Sequence, residues 1–218
     1  APTLRARARD LVRNNATAQQ AVRISRIATV GAQMRLKLRP NWQFLGISYE
    51  AALAWTRIVE RAWEEYAHGP HFWLDAGRRM TFTDFMNLVH DTDIIDGETL
   101  VVAEWDESRP WSTCFQAVDV DRLSNPAGKP ETAWFKAGVE LNQHGAPIAY
   151  HVRNAHPSEY GIVEGSAQHT HSRIDRETAW FRPICMHSFA LSRAGQTRGV
   201  TEFASVLSAL KMAGEYSE

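Results

Sequence analysis

Cysteine is nearly missing: of 218 residues only Cys114 and Cys185 are thiols. Two cysteines cannot build a disulfide scaffold, and they read as buried thiols of a reducing compartment. No stretch approaches the roughly 18 to 20 apolar residues of a membrane span. The opening APTLRARARD has neither a signal peptide's apolar core nor a starting Met, so a chain processed or cut from something longer is expected. Net charge is small as well, −1 from 24 Lys+Arg against 25 Asp+Glu, which speaks against a strongly basic nucleic-acid binder. A composition 44% hydrophobic and 22% charged excludes a disordered chain, a collagen-like repeat and a coiled-coil rod. The length fits one large domain or two small ones.

Catalytic signatures are equally scarce. No serine sits in G-x-S-x-G, and no glycine pair fits the phosphate loop G-x-x-x-x-G-K-[ST], so ATP hydrolysis is not expected. Cys185-Met186-His187 is taken as a strand that puts thiol and imidazole on opposite faces, which argues against a nucleophilic pair. His169-x-His171, with His151, His156 and His187, offers metal nitrogens, but zinc needs three or four converging ligands. Ordinary hydrogen-bonded histidines are the plainer reading. His68-x-x-His71 is divided by Gly69-Pro70. Asp91-x-Asp93-x-x-Asp96-Gly97 imitates a calcium loop, yet Ile95 stands at position 5, Gly97 at 7 and Val102 at 12, where the motif needs a ligand, Gly at 6 and Glu. An exposed acidic helix end running into a strand is expected there. No cofactor and no metal are expected.

What the chain does have is tryptophan and a charge split. Eight Trp imply a well-filled core, extensive subunit contact, or both. Residues 1–40 hold nine basic groups against Asp10 alone, or +8, which leaves 15 basic and 24 acidic groups, or −9, in the remainder. Such a split suggests attachment to nucleic acid or to an acidic protein surface. Arg5, Arg7, Arg9, Arg13, Arg23 and Arg26 are the candidate subunit-interface or DNA-proximal residues, most of them expected on an exposed helical face. No aromatic residue interleaves with them, so a stacking platform for single strands is absent.

Periodicity predicts α+β architecture. A first helix, capped by Thr3, carries Leu4, Leu11 and Val12 and breaks at Asn14-Asn15; a second runs over Ala16 to Val30 and stops at Gly31. Met34, Leu36 and Leu38 alternate with Arg35, Lys37 and Arg39 as a half-buried strand would, ended by Pro40. Ser48 opens a helix with an apolar stripe of Trp55, Ile58, Val59, Ala62, Trp63 and Tyr66, stopped by Gly69-Pro70. Thr81 and Asp84 form a capping-box pattern for another helix, with Phe85, Met86, Leu88 and Val89 inward. TLVVAEW, CFQAV, GVELN, IAYHVR and ICMHSFAL follow as mainly antiparallel strands, with a hairpin connection at Asn142 to Pro147 and a loop over 154–171. Thr201 caps a final helix with Phe203, Val206, Leu207 and Leu210 on one face.

Several strings resemble the lambda-type tailed-phage portal proteins: RARDLVRNNATAQQAV, RPNWQFLGIS, DAGRRMTFTDF, DGETLVVAEWD, DRLSNP, GVELNQHGAPIAYHV, RETAWFRP and RAGQTRGV. They occur in the family's order and span nearly the whole chain. The resemblance implies a non-enzymatic virion protein at the capsid portal vertex, present in host cytoplasm during assembly. It implies a homo-oligomeric ring, usually a dodecamer, through which double-stranded DNA is packaged and ejected. Its implied partners are the terminase large subunit, the major capsid and scaffold proteins, and the head-completion and tail connector proteins. It also implies a basic arm with a strand over 1–45, a wing-like α+β domain over 46–198, and over 199–218 the start of a helix leading toward the portal stem. Family members are longer, so this chain is expected to be a fragment or the ordered part of one. Two other readings compete: a metal-dependent enzyme using the His169/His171 loop, and a DNA-binding module using the Arg-rich N-terminus.

Overall fold

Asn15 divides the N-terminal region. In the computed structural model, which describes residues 2–156 and 170–215, helix α1 spans Pro2–Asn14 and α2 spans Ala16–Thr29. The Asn15 side chain accepts the Ala18 N–H at 3.0 Å, satisfying a donor that the helix start leaves open. Thr3 lies inside α1 and does not cap it; a Pro near the start costs the helix no hydrogen bond, because first-turn N–H groups have no partner within the helix.

The segment after Gly31 differs from expectation. Met34, Leu36 and Leu38 are half-buried and Arg35, Lys37 and Arg39 exposed, so the alternation is real. No strand partner stands beside it among the described residues. Instead it lies along α3 (Tyr49–His68): Leu38 N–H donates to the Glu60 carboxylate at 2.9 Å, and His68 Nε2 donates to the Met34 carbonyl at 2.8 Å. Side chains on a helix here do the work of a neighbouring strand.

Ser48 caps α3, accepting the Ala51 N–H. Its inward face runs through Ala52, Thr56, Tyr66 and Ala67, with Val59, Ala62 and Trp63 half-buried beside it. Trp55 and Ile58, expected in the stripe, are 52% and 68% exposed. In α4 (Phe82–Asp96) both halves of the Thr81/Asp84 capping box are present. Phe85 is buried, Met86 and Val89 are half-buried, and Leu88 faces outward.

Gly97, in the left-handed region at φ +80°, turns α4 directly into β1 (Glu98–Trp105). Strand β1 is central in an antiparallel sheet, between β2 (Thr113–Val118) and β7 (Cys185–Phe189), with Leu100 opposite Val118 on one side and His187 on the other. A second antiparallel sheet has the order β3-β4-β5-β6, from Phe135–Lys136, Val139–Leu141, Pro147–Arg153 and His171–Asp175. The expected hairpin holds: Asn142 N–H bonds the Ala146 carbonyl and Gly145 sits at φ +78°. Two short strands, β3 and β6, lie outside the sequence pattern, and β6 takes His171 out of the expected loop.

Leu100, Val118, Val139, Tyr150, Val152 and Cys185 come from both sheets and share one core. A second cluster joins Leu11, Ala18 and Val22 of the first two helices to Phe203; a third joins Tyr66, Leu74, Phe85 and Val101, with Trp63, Trp73 and Trp111 beside them. Thr201 caps a short 3-10 turn, Glu202–Ser205, rather than a helix; α5 follows over Leu207–Glu215, with Leu207 and Leu210 on the helical cluster and Val206 outward. The α+β architecture is thus helices first, antiparallel sheets in the middle, and a short helix last.

Candidate functional site

Four residues apart on α1, Arg5 and Arg9 share one helix face, and both point into the protein. That corrects their expected placement on an exposed face. Arg5 donates Nη1 to Glu98, and its Nε reaches Asp121 Oδ1 at 2.9 Å. Arg9 grips Asp96 with two hydrogen bonds of 2.7 Å each, and reaches Asp121 at 2.8 Å and Asp119 at 3.2 Å. Asp96 is the last residue of α4, Glu98 opens β1, and Asp119 caps the 3-10 turn Val120–Arg122 that bears Asp121. The expected acidic helix end therefore does run into a strand, but Asp96 is buried rather than exposed. Its pattern cannot form a calcium loop, because Asp91 and Asp93 lie within the helix.

Glu98 is the hub. Its side chain is wholly buried. Arg198 approaches it at 2.6 and 2.9 Å, His187 Nε2 lies 2.9 Å away, and Gly199 N–H donates at 2.9 Å. Burial alone would push the Glu98 carboxyl up, but the hydrogen bonds from His187 and Arg198 and the Arg198 charge hold it down at about 2. Arg198 also donates to the carbonyls of Leu123, Ala137 and Val120, tying three segments to β1. Burial raises the Asp96 carboxyl despite the nearby Arg9, while its hydrogen bond to Asp96 raises Arg9. The bidentate geometry of the two keeps them an ion pair.

Backbone closeness makes the hub possible. A Cβ on Gly199 would lie 1.9 Å from the Gly97 carbonyl oxygen, and one on Gly97 would lie 2.1 Å from Val200 C. Only two glycines allow the chain near 199 to pass this close to the α4–β1 junction.

Chemically the hub is a lock. Arg5, Arg9 and Arg198 meet Asp96, Glu98, Asp119 and Asp121, so these charges are spent on one another, and Glu98, held at about 2, stays ionised near neutrality. Of the other candidate arginines, Arg26 pairs with Asp91 at 2.6 Å, and Arg7, Arg13 and Arg23 are exposed.

The histidines are dispersed. His151 meets Glu140 at 2.7 Å, His171 meets Ser124 at 3.0 Å, and His187 belongs to the hub. His169 lies outside the described residues. Asp119, Asp121 and His156 have metal-ligand spacing, but Arg5 and Arg9 already supply the positive charge at Asp121. Cys185 and His187 share the buried face of β7, since alternate residues of a strand point the same way; the expectation of opposite faces was wrong. Burial nonetheless pushes the Cys185 thiol up to about 12, the reverse of an activated nucleophile. Arg198, Asp119 and Asp121 had no sequence signal of their own, though the Arg5/Arg9 spacing marks the shared face.

Residues 1–218 match the family described as phage portal protein, lambda family. The portal protein of Escherichia phage N15 is 39% identical over 209 residues, and portal protein B of Escherichia phage lambda is 38% identical over 209 residues. Each match covers 95% of this chain and 38% of the relative, so the chain spans well under half the length of either.

Proposed function

The chain belongs to the lambda family of phage portal proteins, and from that premise we propose that it is a structural part of a portal ring. The ring is homo-oligomeric, a dodecamer, set at one capsid vertex of the virion and assembled in host cytoplasm. Double-stranded DNA enters through it during packaging and leaves through it during infection. The terminase large subunit docks on it and supplies ATP hydrolysis. Head-completion and tail connector proteins replace terminase, and scaffold and major capsid proteins assemble around the ring. This chain contributes an N-terminal arm over 1–45, a wing-like domain over 46–198 and, over 199–218, the start of a helix leading toward the stem.

The observation that carries the proposal is the unbroken family match along residues 1–218. Physical chemistry is compatible with it. Each phosphate neutralised by Lys or Arg adds salt-dependent affinity, and a conduit must let DNA slide. Outside the first 40 residues the net charge is −9, and Arg5 and Arg9 are engaged inside the fold. Arg7, Arg13 and Arg23 keep their exposed charges and are the residues we assign to a neighbouring subunit or to passing DNA.

Electron microscopy of the purified full-length protein tests the reading. Rings with a central hole wide enough for duplex DNA are expected. A monodisperse monomer under all assembly conditions would overturn it.

A further inference from the structure

Met34 to Arg39 is held like a strand whose neighbour is a helix. The segment runs without turn or bend over 33–40, and its exposure alternates residue by residue. Its bonds to α3 give its length. The Met34 carbonyl accepts from His68 and the Leu38 N–H donates to Glu60. The segment therefore runs opposite to α3, and its four steps from 34 to 38 match the helix from Glu60 to His68. Strand and helix rises make these distances about 13 Å and about 12 Å. Only extended backbone covers that distance in so few residues.

Extended backbone has two edges. The N–H and C=O of one residue point to the same edge, and those of the next residue to the other. Met34 N–H donates to Thr83 Oγ1 at 3.3 Å, so with the His68 and Glu60 bonds the edge of residues 34, 36 and 38 is committed to α3 and α4. The backbone groups of Arg35, Lys37 and Arg39 face the opposite way. All three residues are exposed, and their backbone groups form no hydrogen bond with a described residue. Pro40, which lacks an N–H, falls in the helix-side register and interrupts nothing on this open edge.

An open edge takes another extended segment by main-chain bonding, and the side chains beside it select which. Arg35, Lys37 and Arg39 share one face at two-residue spacing, and none forms an ion pair with a described residue. Two carboxylates meet the segment from α3. Glu60 holds the Leu38 N–H, and Glu64 holds the Gln33 side-chain amide at 3.2 Å. Each also has an arginine three places earlier on the helix, Arg57 and Arg61, within reach across one turn. The three cations of the segment are thus the local excess. Like charges directly opposite one another disfavour pairing. The same segment of a second copy is therefore excluded, and carboxylates at alternate positions are favoured.

We propose that the Arg35–Lys37–Arg39 edge binds an extended acidic peptide segment by strand addition, with Asp or Glu opposite the three cations. This surface is one that the ring reading does not assign, and the proposal stands or falls apart from that reading.

Peptide titration of the full-length protein by calorimetry tests it, with acetyl-Thr-Glu-Val-Glu-Val-Glu-Thr-amide as the probe. Replacing every Glu of the probe by Lys is expected to weaken binding roughly tenfold or more. Two N-methylated probes separate strand addition from charge attraction. One is methylated at its Glu amides, the other at its Val amides. An added strand bonds through one edge only, so one of these keeps the parent affinity and the other loses roughly tenfold or more. In the protein, Lys37→Glu is expected to weaken the parent probe similarly. Lys37 is exposed, and thermal unfolding is the folding control. Equal affinities of the two methylated probes overturn the proposal, because ionic attraction would then account for the binding. Undiminished binding of the Lys probe overturns it too. So does no binding by any probe, the result if another part of the chain or a neighbouring subunit already fills the edge. Rings in the electron microscope leave the ring reading intact in each of these cases.

Discussion

Arg5, in the first helix, donates its guanidinium to Glu98, the first residue of β1, and both side chains are almost fully removed from solvent. This pair, with Arg9 and Arg198 around it, fastens the basic N-terminal helix to the strand that is central in its sheet. The energetic logic of such a pair is asymmetric: forming it repays little beyond desolvation, while removing one partner strands a buried charge.

Arg5→Ala is therefore expected to cost about 3 to 5 kcal/mol of folding stability. Arg7→Ala, two residues away and exposed, should stay within about 0.5 kcal/mol of wild type. Urea unfolding of the two variants checks the contrast. Equal midpoints would mean that the Arg5–Glu98 contact contributes nothing.

Glu98 also sets an acid limit. Its carboxyl is held at about 2, below the ordinary 4.5. A depressed carboxylate contributes its full stability above its unfolded pKa and loses it as pH falls through the folded one. The loss should run from about pH 4.5 to about pH 2 and reach about 3 kcal/mol for this group. Glu98→Gln should flatten that part of the stability profile, measured by thermal melts from pH 6 to pH 2.5.

Gly199→Ala has no room. Its methyl would meet the Gly97 carbonyl oxygen at 1.9 Å and the carbonyl carbon at 2.6 Å, backbone atoms that have little room to shift. A loss of at least about 2 kcal/mol is expected. Gly128→Ala makes a useful comparison, because φ +77° strains it while no atom lies within 4 Å; it should cost about 1 kcal/mol. The difference between the two measures the close approach itself.

Neither thiol should react in the folded protein. Cys114 and Cys185 are buried, and burial raises both thiols, Cys185 to about 12. Iodoacetamide at pH 8 should add no label before unfolding and two labels in denaturant, counted by intact mass. One rapid label on the native chain would contradict the packing around β7 or β2.

Local rules made much of the fold legible. Ser48 and the Thr81/Asp84 box cap where their side chains predict, because a cap is decided by residues three apart; Asn15, read only as a break, also caps α2. The strands with strong alternation or continuous apolar runs appear where expected. Two of the failures share one cause. Met34 to Leu38 alternates like a strand, but whether a strand pairs depends on a partner far away, and here α3 lies in that place. Trp55 and Ile58 fit a helical stripe, yet a stripe becomes buried only where something covers it. Strands β3 and β6 are too short or too polar to signal themselves.

The candidate site divides the same way. The charge split between residues 1–40 and the rest is a property of composition, and so is the order of family-like segments along the chain. What composition cannot say is where each charge goes. Arg5, Arg7 and Arg9 look alike in sequence. A helical rotation of 100° per residue sends Arg5 and Arg9 inward to Glu98, Asp96 and Asp121 and leaves Arg7 outside. Those carboxylates lie 87 to 116 residues away. The sequence by itself determined the helices, most strands and the family, because those are written in neighbouring residues. Only the tertiary structure decided which arginines are spent inside the protein, because a buried ion pair is formed by segments that meet solely when the chain has folded.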